Sequence, residues 1–468
     1  MRPAPLTKKC GVFIKMVKKI SIAILFIAAM VYLPQNKLSA KRLDKYDTPP
    51  DVPQIEPIKK EDRILIFAPH PDDETLGTAG IIQKAVAAGA QVRVMYLTNG
   101  EHNQLAFIVY EKRFVIKQKA LIEMGELRRR ESIAAMGLLG VPEENLIFLG
   151  YPDFGTMAIF LKYWGDIKPF KNMLTRVASV PYKDSLTPNA LYKGESILWD
   201  IESVLRKYKP TRVFVTNPVD TNRDHRAAYL FLQVALWDLK GQIPEPKICP
   251  YLIHCYGWPL PRNYHPGLYI NIPKLLEKSP IMWQSSDLSN QETEKKYAAV
   301  RLYKSQCADS AFYLTAFARR NELFGKYPDI ELGAADTVTD NFKIATTFQH
   351  KTVVYGREGD NFMINVFIKR DSSNARNFYA TLAGYRHDVE FAQMPKIKIN
   401  VNNDSIKVSN GGRFIKSEAI RLEQKKYSVV LMIPFKILGE PESMLASVNT
   451  YTGNSPSDLN AWRVIKIK

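Results

Sequence analysis

Two short stretches carry residue types that can do chemistry together. In Pro69-His70-Pro71-Asp72-Asp73-Glu74 an imidazole and a carboxylate three positions on can supply two metal ligands, His70 and Asp73, and leave Asp72 free as a base. The plainer reading is that the acidic run caps and charges a helix start. Pro69 and Pro71 stiffen the backbone around the histidine, which serves a preorganised site better than a cap. Far along the chain, His225 ends the run Asn217-Pro218-Val219-Asp220-Thr221-Asn222-Arg223-Asp224-His225. It offers the third ligand that a catalytic zinc needs while one position stays open for water. A lone histidine at a helix start also reads as a capping or packing residue.

The elements that must position these residues follow from hydrophobic patterning. Ile64–Phe67, Val92–Leu97, Leu146–Leu149, Arg212–Thr216 and Tyr251–Tyr256 read as strands; Ala79–Ala88, Arg128–Leu139, Ile201–Tyr208 and Arg226–Leu239 read as helices. Alternation of this kind predicts an α/β fold over 61–330, Rossmann-like, with a mostly parallel sheet covered by helices. Ligands bind beyond the carboxyl ends of such strands. His70 and His225 fall there, as do Thr98-Asn99-Gly100-Glu101 and Gly150-Tyr151-Pro152-Asp153, both of which are also ordinary turn formers.

The hexapeptide from Pro69 to Glu74 resembles the signature of the LmbE/PIG-L family of zinc-dependent de-N-acetylases. Asp224-His225-Arg226-Ala227-Ala228 is similar to its second motif, and Arg128-Arg129-Arg130-Glu131 to its Arg-x-x-Glu helix. Lys304-Ser305-Gln306, followed by Glu322-Leu323-Phe324, resembles its closing Ser-Gln helix and the end of that helix. The resemblance spans roughly 61–325. It implies hydrolysis of the acetamide of an N-acetylated amino sugar, with Zn²⁺ on His70, Asp73 and His225, Asp72 as base and Arg128 lining the substrate pocket. Asn99, Asp153, Asn222 and Asp224 are the further expected substrate-binding residues. The family motif usually carries a second histidine three positions before the zinc-binding one; here that position is Asn222.

Apolar residues make up 46% and charged residues 24% of the 468, ordinary values that argue against bulk disorder. The net charge of +18 suits anionic neighbours, but no basic stripe with interleaved aromatics accompanies it, which argues against nucleic acid. Residues 1–40 combine Arg2, Lys8, Lys9, Lys15, Lys18 and Lys19 with the uncharged run Ile20 to Leu33. That pattern fits a signal peptide, cleaved near Ser39-Ala40, or an N-terminal membrane anchor, and predicts export of the rest. Residues 41–60, with Pro49, Pro50, Pro53 and Pro57, read as an extended linker. Cys10, Cys249, Cys255 and Cys307 form no Cys-x-x-Cys pair, so a zinc ribbon is excluded and buried thiols are expected. Past 335, runs such as Thr352–Tyr355, Phe362–Lys369, Ile397–Val401 and Ser428–Ile433, separated by Gly- and Asn-rich turns, predict an all-β sandwich of accessory role.

Three functions compete on these grounds. A zinc hydrolase acting on an N-acetylated sugar or glycolipid leads. A metal-dependent glycosyltransferase would want oxygen ligands rather than His70 and His225. A non-catalytic glycan-binding protein of the cell envelope is favoured only by Asn222.

Overall fold

Strand β1 (Arg63–Ala68) is an interior strand of a seven-stranded sheet, and from Ile64 to Ala68 it has no exposed surface. Ile64, Ile66 and Ala68 enter one core and Leu65 and Phe67 the other, which is why an almost uninterrupted apolar run was needed. The structure, a computed structural model, describes residues 44–468 apart from 103–117, 334–336, 341–351, 368–377, 403–404, 417, 453–454 and 457–460. The apolar run 20–33 and the cleavage site near Ser39-Ala40 lie outside the described residues.

After β1 come helix α1 (Asp73–Ala87), β2 (Gln91–Thr98), α2 (Gln118–Leu139), β3 (Leu146–Tyr151), α3 (Thr156–Lys162), α4 (Gly194–Tyr208), β4 (Arg212–Thr216), α5 (Arg223–Asp238) and β5 (Lys247–Tyr251). Then follow β6 (Met282–Asp287), α6 (Asn290–Val300), α7 (Lys304–Leu314) and β7 (Asn321–Lys326). The sheet order is β3-β2-β1-β4-β5-β7-β6, parallel from β3 to β5 and antiparallel where β7 meets β5 and β6. The order reverses direction between β1 and β4, and the crevice at such a switch point is where doubly wound sheets bind ligands. His70 follows β1 and α5 follows β4, so the two stretches singled out by their chemistry flank it.

Three expectations change. Helix α1 starts at Asp73 rather than Ala79, because its first turns bury Asp73, Glu74, Thr75 and Thr78 and so lack an apolar period. The expected strand Tyr251–Tyr256 is β5, which ends at Tyr251. Glu322 to Phe324 lie in strand β7, not at the end of a helix. The segment read as a linker is also docked. Ile55 donates to the Ser285 carbonyl (2.7 Å), Ser285 to Pro53 O (2.9 Å), and the Arg212 guanidinium holds the carbonyls of Glu56 and Pro57 (2.7 and 2.8 Å).

The remaining strands are β8 (Ile330–Leu332), β9 (Thr337–Asp340), β10 (Thr352–Glu358), β11 (Asn361–Phe367), β12 (Phe378–Tyr385), β13 (Lys396–Asn402), β14 (Ser405–Asn410), β15 (Arg413–Ile415), β16 (Arg421–Lys425), β17 (Ser428–Pro434), β18 (Ser443–Thr452), β19 (Ser455–Pro456) and β20 (Arg463–Ile467). They form a five-stranded sheet, β16-β17-β11-β10-β9, and an eight-stranded one, β15-β14-β13-β12-β18-β20-β8 with β19 on β18. Phe362, Ile364, Val366, Leu382, Ile399, Leu431 and Ile433 alternate inward to fill the core between them. Residues on the other face, Ala383, Tyr385, Leu445 and Val464, together with Phe391 and Trp462, enter the same core as Phe160 and Trp164 near α3 and Phe231 of α5.

Lys396 is buried in that shared core. Its ammonium donates to the carbonyls of Phe391 and Met394 and lies 4.6 Å from the Trp164 ring centre and 4.1 Å from that of Phe391. Burial pushes its pKa down to about 7. Above that pH the folded protein therefore holds fewer protons than the unfolded chain, until free lysine itself titrates near 10.4, and stability rises with pH across the window. Two carbonyls and two ring faces offset part of the burial penalty, so a gain on the order of 1–3 kcal/mol from pH 7 to 10 is expected. Urea unfolding of wild type and Lys396→Met at both pH values checks it: the difference between them should shrink as pH rises.

Candidate metal centre

Three ligand atoms converge at the switch point. His70 Nδ1 lies 3.2 Å from Asp73 Oδ2 and 3.2 Å from His225 Nε2, and His225 Nε2 is 3.1 Å from the same Asp73 oxygen. Ligands of a tetrahedral zinc with bonds of about 2.0–2.1 Å stand roughly 3.3 Å apart, so these three atoms fit around one ion with a fourth position open. All three residues are buried.

The outer nitrogen of each imidazole is held by a carboxylate. His70 Nε2 meets Asp153 Oδ1 at 3.1 Å and His225 Nδ1 meets Asp220 Oδ2 at 3.1 Å. A carboxylate can only accept, so each outer nitrogen carries a proton, and a cation at the centre would be met by the lone pair of each inner one. Burial pulls both imidazoles down, but the carboxylates overcome it. Asp153, Asp224 and Asp73 hold His70 well above the usual value, and Asp220 and Asp73 raise His225 to about 9. A site so rich in negative charge wants a cation.

The loop after β1 is fixed from three sides. The Pro69 carbonyl accepts from Thr98 N and Oγ1 (3.0 and 3.1 Å), the His70 N–H donates to Asp73 Oδ2 (3.0 Å), and Arg128 Nη2 donates to Pro71 O (2.6 Å). Asp72 has φ 121°, a strained value for a residue with a side chain, and its carboxylate makes no capping bond to α1. Asp72 Oδ2 instead lies 3.3 Å from Arg128 Nη2. Burial pushes the Asp72 carboxyl up to about 8, against the pull of Arg128. That places it near the pH at which an acid–base group works best. Gly100, φ 67°, lets Arg128 approach: a Cβ there would collide with the guanidinium, whose Nη1 donates to Gly100 O (2.8 Å). Arg128 is thus a buried clamp on the catalytic loop rather than a solvated helix charge.

The other expected substrate-binding residues divide. Asn99 is fully buried beside the loop, and neither its Oδ1 nor its Nδ2 has a hydrogen-bond partner among the described residues. Asp153 spends Oδ1 on His70 and Oδ2 on the His102 N–H (2.9 Å), so it orients a ligand. Asp224 has no exposed surface; its oxygens accept from Phe154 N (2.6 Å), Thr156 N (3.1 Å) and Thr156 Oγ1, and its Oδ2 lies 3.6 Å from His70 Nε2. It joins the turn before α3 to the outer side of His70, where His70, Asp153 and Asp224 form a second close group of ligand-type atoms.

Asn222 is the N-cap of α5, its Oδ1 accepting from Asp224 N at 2.8 Å. Asn222→Ala is expected to cost about 1 kcal/mol of stability in chemical denaturation through loss of this cap. Any turnover at this site should fall no more than about tenfold, the scale of one neutral hydrogen bond.

Sequence reasoning missed Asp220, His254 and Glu101. Asp220 also accepts from Ile253 N (3.1 Å) and His254 N (2.8 Å), tying the loop after β4 to the end of β5. The His254 ring lies 4.8 Å from that of His225, and burial, with the neighbouring His225 and His70, brings its pKa to about 4. Only the fold brings these segments together. The one available signal was that Asp220 and Glu101 also follow strands.

The residues from Leu65 to Leu236 define a class. Residues 65–236 match the family described as PIG-L, GlcNAc-PI de-N-acetylase, and form a PIG-L (LmbE-like) de-N-acetylase domain. Among curated relatives, the 1D-myo-inositol 2-acetamido-2-deoxy-alpha-D-glucopyranoside deacetylase of Mycobacterium sp. (strain KMS) is 38% identical over 90 residues, 19% of this chain and 28% of that protein. The enzyme of the same name from Geodermatophilus obscurus is 37% identical over 99 residues, 20% of this chain and 32% of that protein. The chain thus aligns with about three-tenths of the length of these relatives. Among solved structures, N,N'-diacetylchitobiose deacetylase from Pyrococcus horikoshii aligns with 53% of this chain and 72% of its own at 20% identity and a TM-score of 0.33. A deacetylase of teicoplanin biosynthesis aligns with 56% and 97% at 16% identity and 0.35.

Proposed function

We propose that the protein is a zinc-dependent hydrolase that removes the acetyl group from an N-acetylated amino sugar, free or carried on a glycan or glycolipid. The observation that carries this is the convergence of His70 Nδ1, Asp73 Oδ2 and His225 Nε2 within 3.2 Å of one another, beside the Arg128-paired carboxylate of a strained Asp72. A likeness to deacetylases of N-acetylated sugars supports the substrate class.

When bound, the ion supplies Lewis-acid polarisation of the acetamide carbonyl and acidifies water. The residues do the rest. Neutral His70 and His225 present lone pairs because Asp153 and Asp220 hold their outer protons. Asp72 takes the proton of the attacking water and returns it to the departing nitrogen, since Asn222 has no proton to give. Arg128 keeps Pro71 and Asp72 in place while this happens. Acetate and a free amine leave. Two nitrogen ligands favour this reading over a Mg²⁺-dependent glycosyltransferase.

Acetate release from N-acetylhexosamine glycans, with zinc removed and restored, tests the proposal; no release from any of them at full zinc occupancy would sink it. The basic flank and apolar run of residues 2–33 support a further proposal, that the catalytic region works outside the cytoplasmic membrane. Protease added to intact spheroplasts should reach it, and full protection until lysis would argue for the cytoplasm.

A further inference from the structure

Phe154 is 62% exposed on the rim beside the metal centre, one residue after Asp153. Its φ of 57° is an outlier for a bulky side chain, and the turn persists because the buried Asp224 carboxylate takes the Phe154 N–H at 2.6 Å. Folding gains nothing from straining a turn to hold a phenyl ring in water. The ring faces the imidazole of His102, with centroids 5.8 Å apart and planes at 25°. His102 is fixed in turn, its N–H on Asp153 Oδ2 (2.9 Å) and its Nε2 against Asn172 Oδ1 (2.9 Å). Of the two flat rings, His102 is therefore anchored to the carboxylate that orients His70, and Phe154 to the buried Asp224 carboxylate beside His225.

The inner side of the same loop is polar and incompletely bonded. Glu101 Oε1 accepts from Asp153 N at 3.1 Å, while Glu101 Oε2 and both polar atoms of Asn99 have no partner among the described residues, although the two residues are 2% and 0% exposed. Buried polar atoms without partners call for an explanation, and a ligand that supplies donors and acceptors is one. An apolar face beside a few placed polar groups is the common make-up of a small-molecule site. A pyranose matches it, with a C–H face for an aromatic ring and hydroxyl groups around its edge.

We propose that Phe154 and His102 form a platform for the pyranose ring that bears the acetamide, with Asn99 and Glu101 meeting its hydroxyl groups. The identity of the sugar rests on the deacetylase reading, but the test separates the two. Calorimetry on metal-stripped full-length protein, in which turnover is prevented, would measure binding of N-acetylglucosamine to wild type, Phe154→Ala and Phe154→Tyr. Phe154→Ala should weaken binding roughly 5- to 100-fold, and Phe154→Tyr should restore it to within about threefold. In zinc-loaded protein, kcat/KM should fall by the same factor with metal content unchanged. Equal affinity of wild type and Phe154→Ala overturns the platform, as does failure of Phe154→Tyr to restore binding, or no binding by wild type at millimolar sugar. Sugar binding that depends on Phe154 without any acetate release would leave the platform standing and defeat the deacetylase reading instead.

Discussion

Asp72→Asn is expected to lower kcat for acetate release by about 10⁴-fold, the upper end for one acid–base group, because a single carboxylate serves both proton transfers. The amide keeps the size of the side chain and can still accept from Arg128, so zinc content should match wild type. Stability should not fall. Ionised Asp72 is opposed by burial, which pushes its carboxyl up to about 8, and a neutral replacement relieves that cost. The checks are kcat, zinc content and melting temperature on one preparation. Full zinc with turnover within tenfold of wild type would remove Asp72 from the mechanism.

His225→Ala should abolish metal binding at ordinary zinc concentrations and, with it, at least about 10³-fold of kcat/KM, since Lewis-acid stabilisation is worth several kcal/mol. A chelator applied to wild type should give the same loss, reversed by zinc in wild type and not in the variant. Asp220→Asn provides the graded comparison. It keeps a hydrogen-bond acceptor for His225 but removes the charge, and such outer partners are worth about 10- to 100-fold in affinity or activity. Retention of one zinc per chain by His225→Ala would show that these three residues are not the ligand set.

The candidate site residues stood out in the sequence because most are local: His70, Asp72 and Asp73 share one loop, and His225 opens a plainly apolar helix. The parallel core was legible for a related reason, since strands buried on both faces leave continuous apolar runs such as Ile64 to Phe67. What escaped depends on contacts between distant segments. Strand β6, Met-Trp-Gln-Ser-Ser-Asp, and β7, with Gly325 inside it, have little strand character of their own and extend because they pair with each other and with β5. The charge of Arg128 suggested solvent or a pocket wall, and only the approach of Gly100 and Pro71 reveals a clamp. Asp224 likewise shows its contacts only in the fold, to Phe154 and Thr156 in the turn before α3 and to His70 in the loop after β1.

Helix α5 holds His225 in its first turn and sends Phe231, two turns on, against Phe160 and Trp164 in the core that Phe391 and Trp462 also enter. The Trp462 N–H, moreover, donates to Pro218 O in the loop that carries Asp220 (3.2 Å). The β layers are consequently a jig for the metal ligand rather than a detachable cargo. A fragment ending before β8 would uncover this aromatic seam and release the helix that aims His225. Transplanting the β region onto another catalytic domain would require carrying the matching helix face with it.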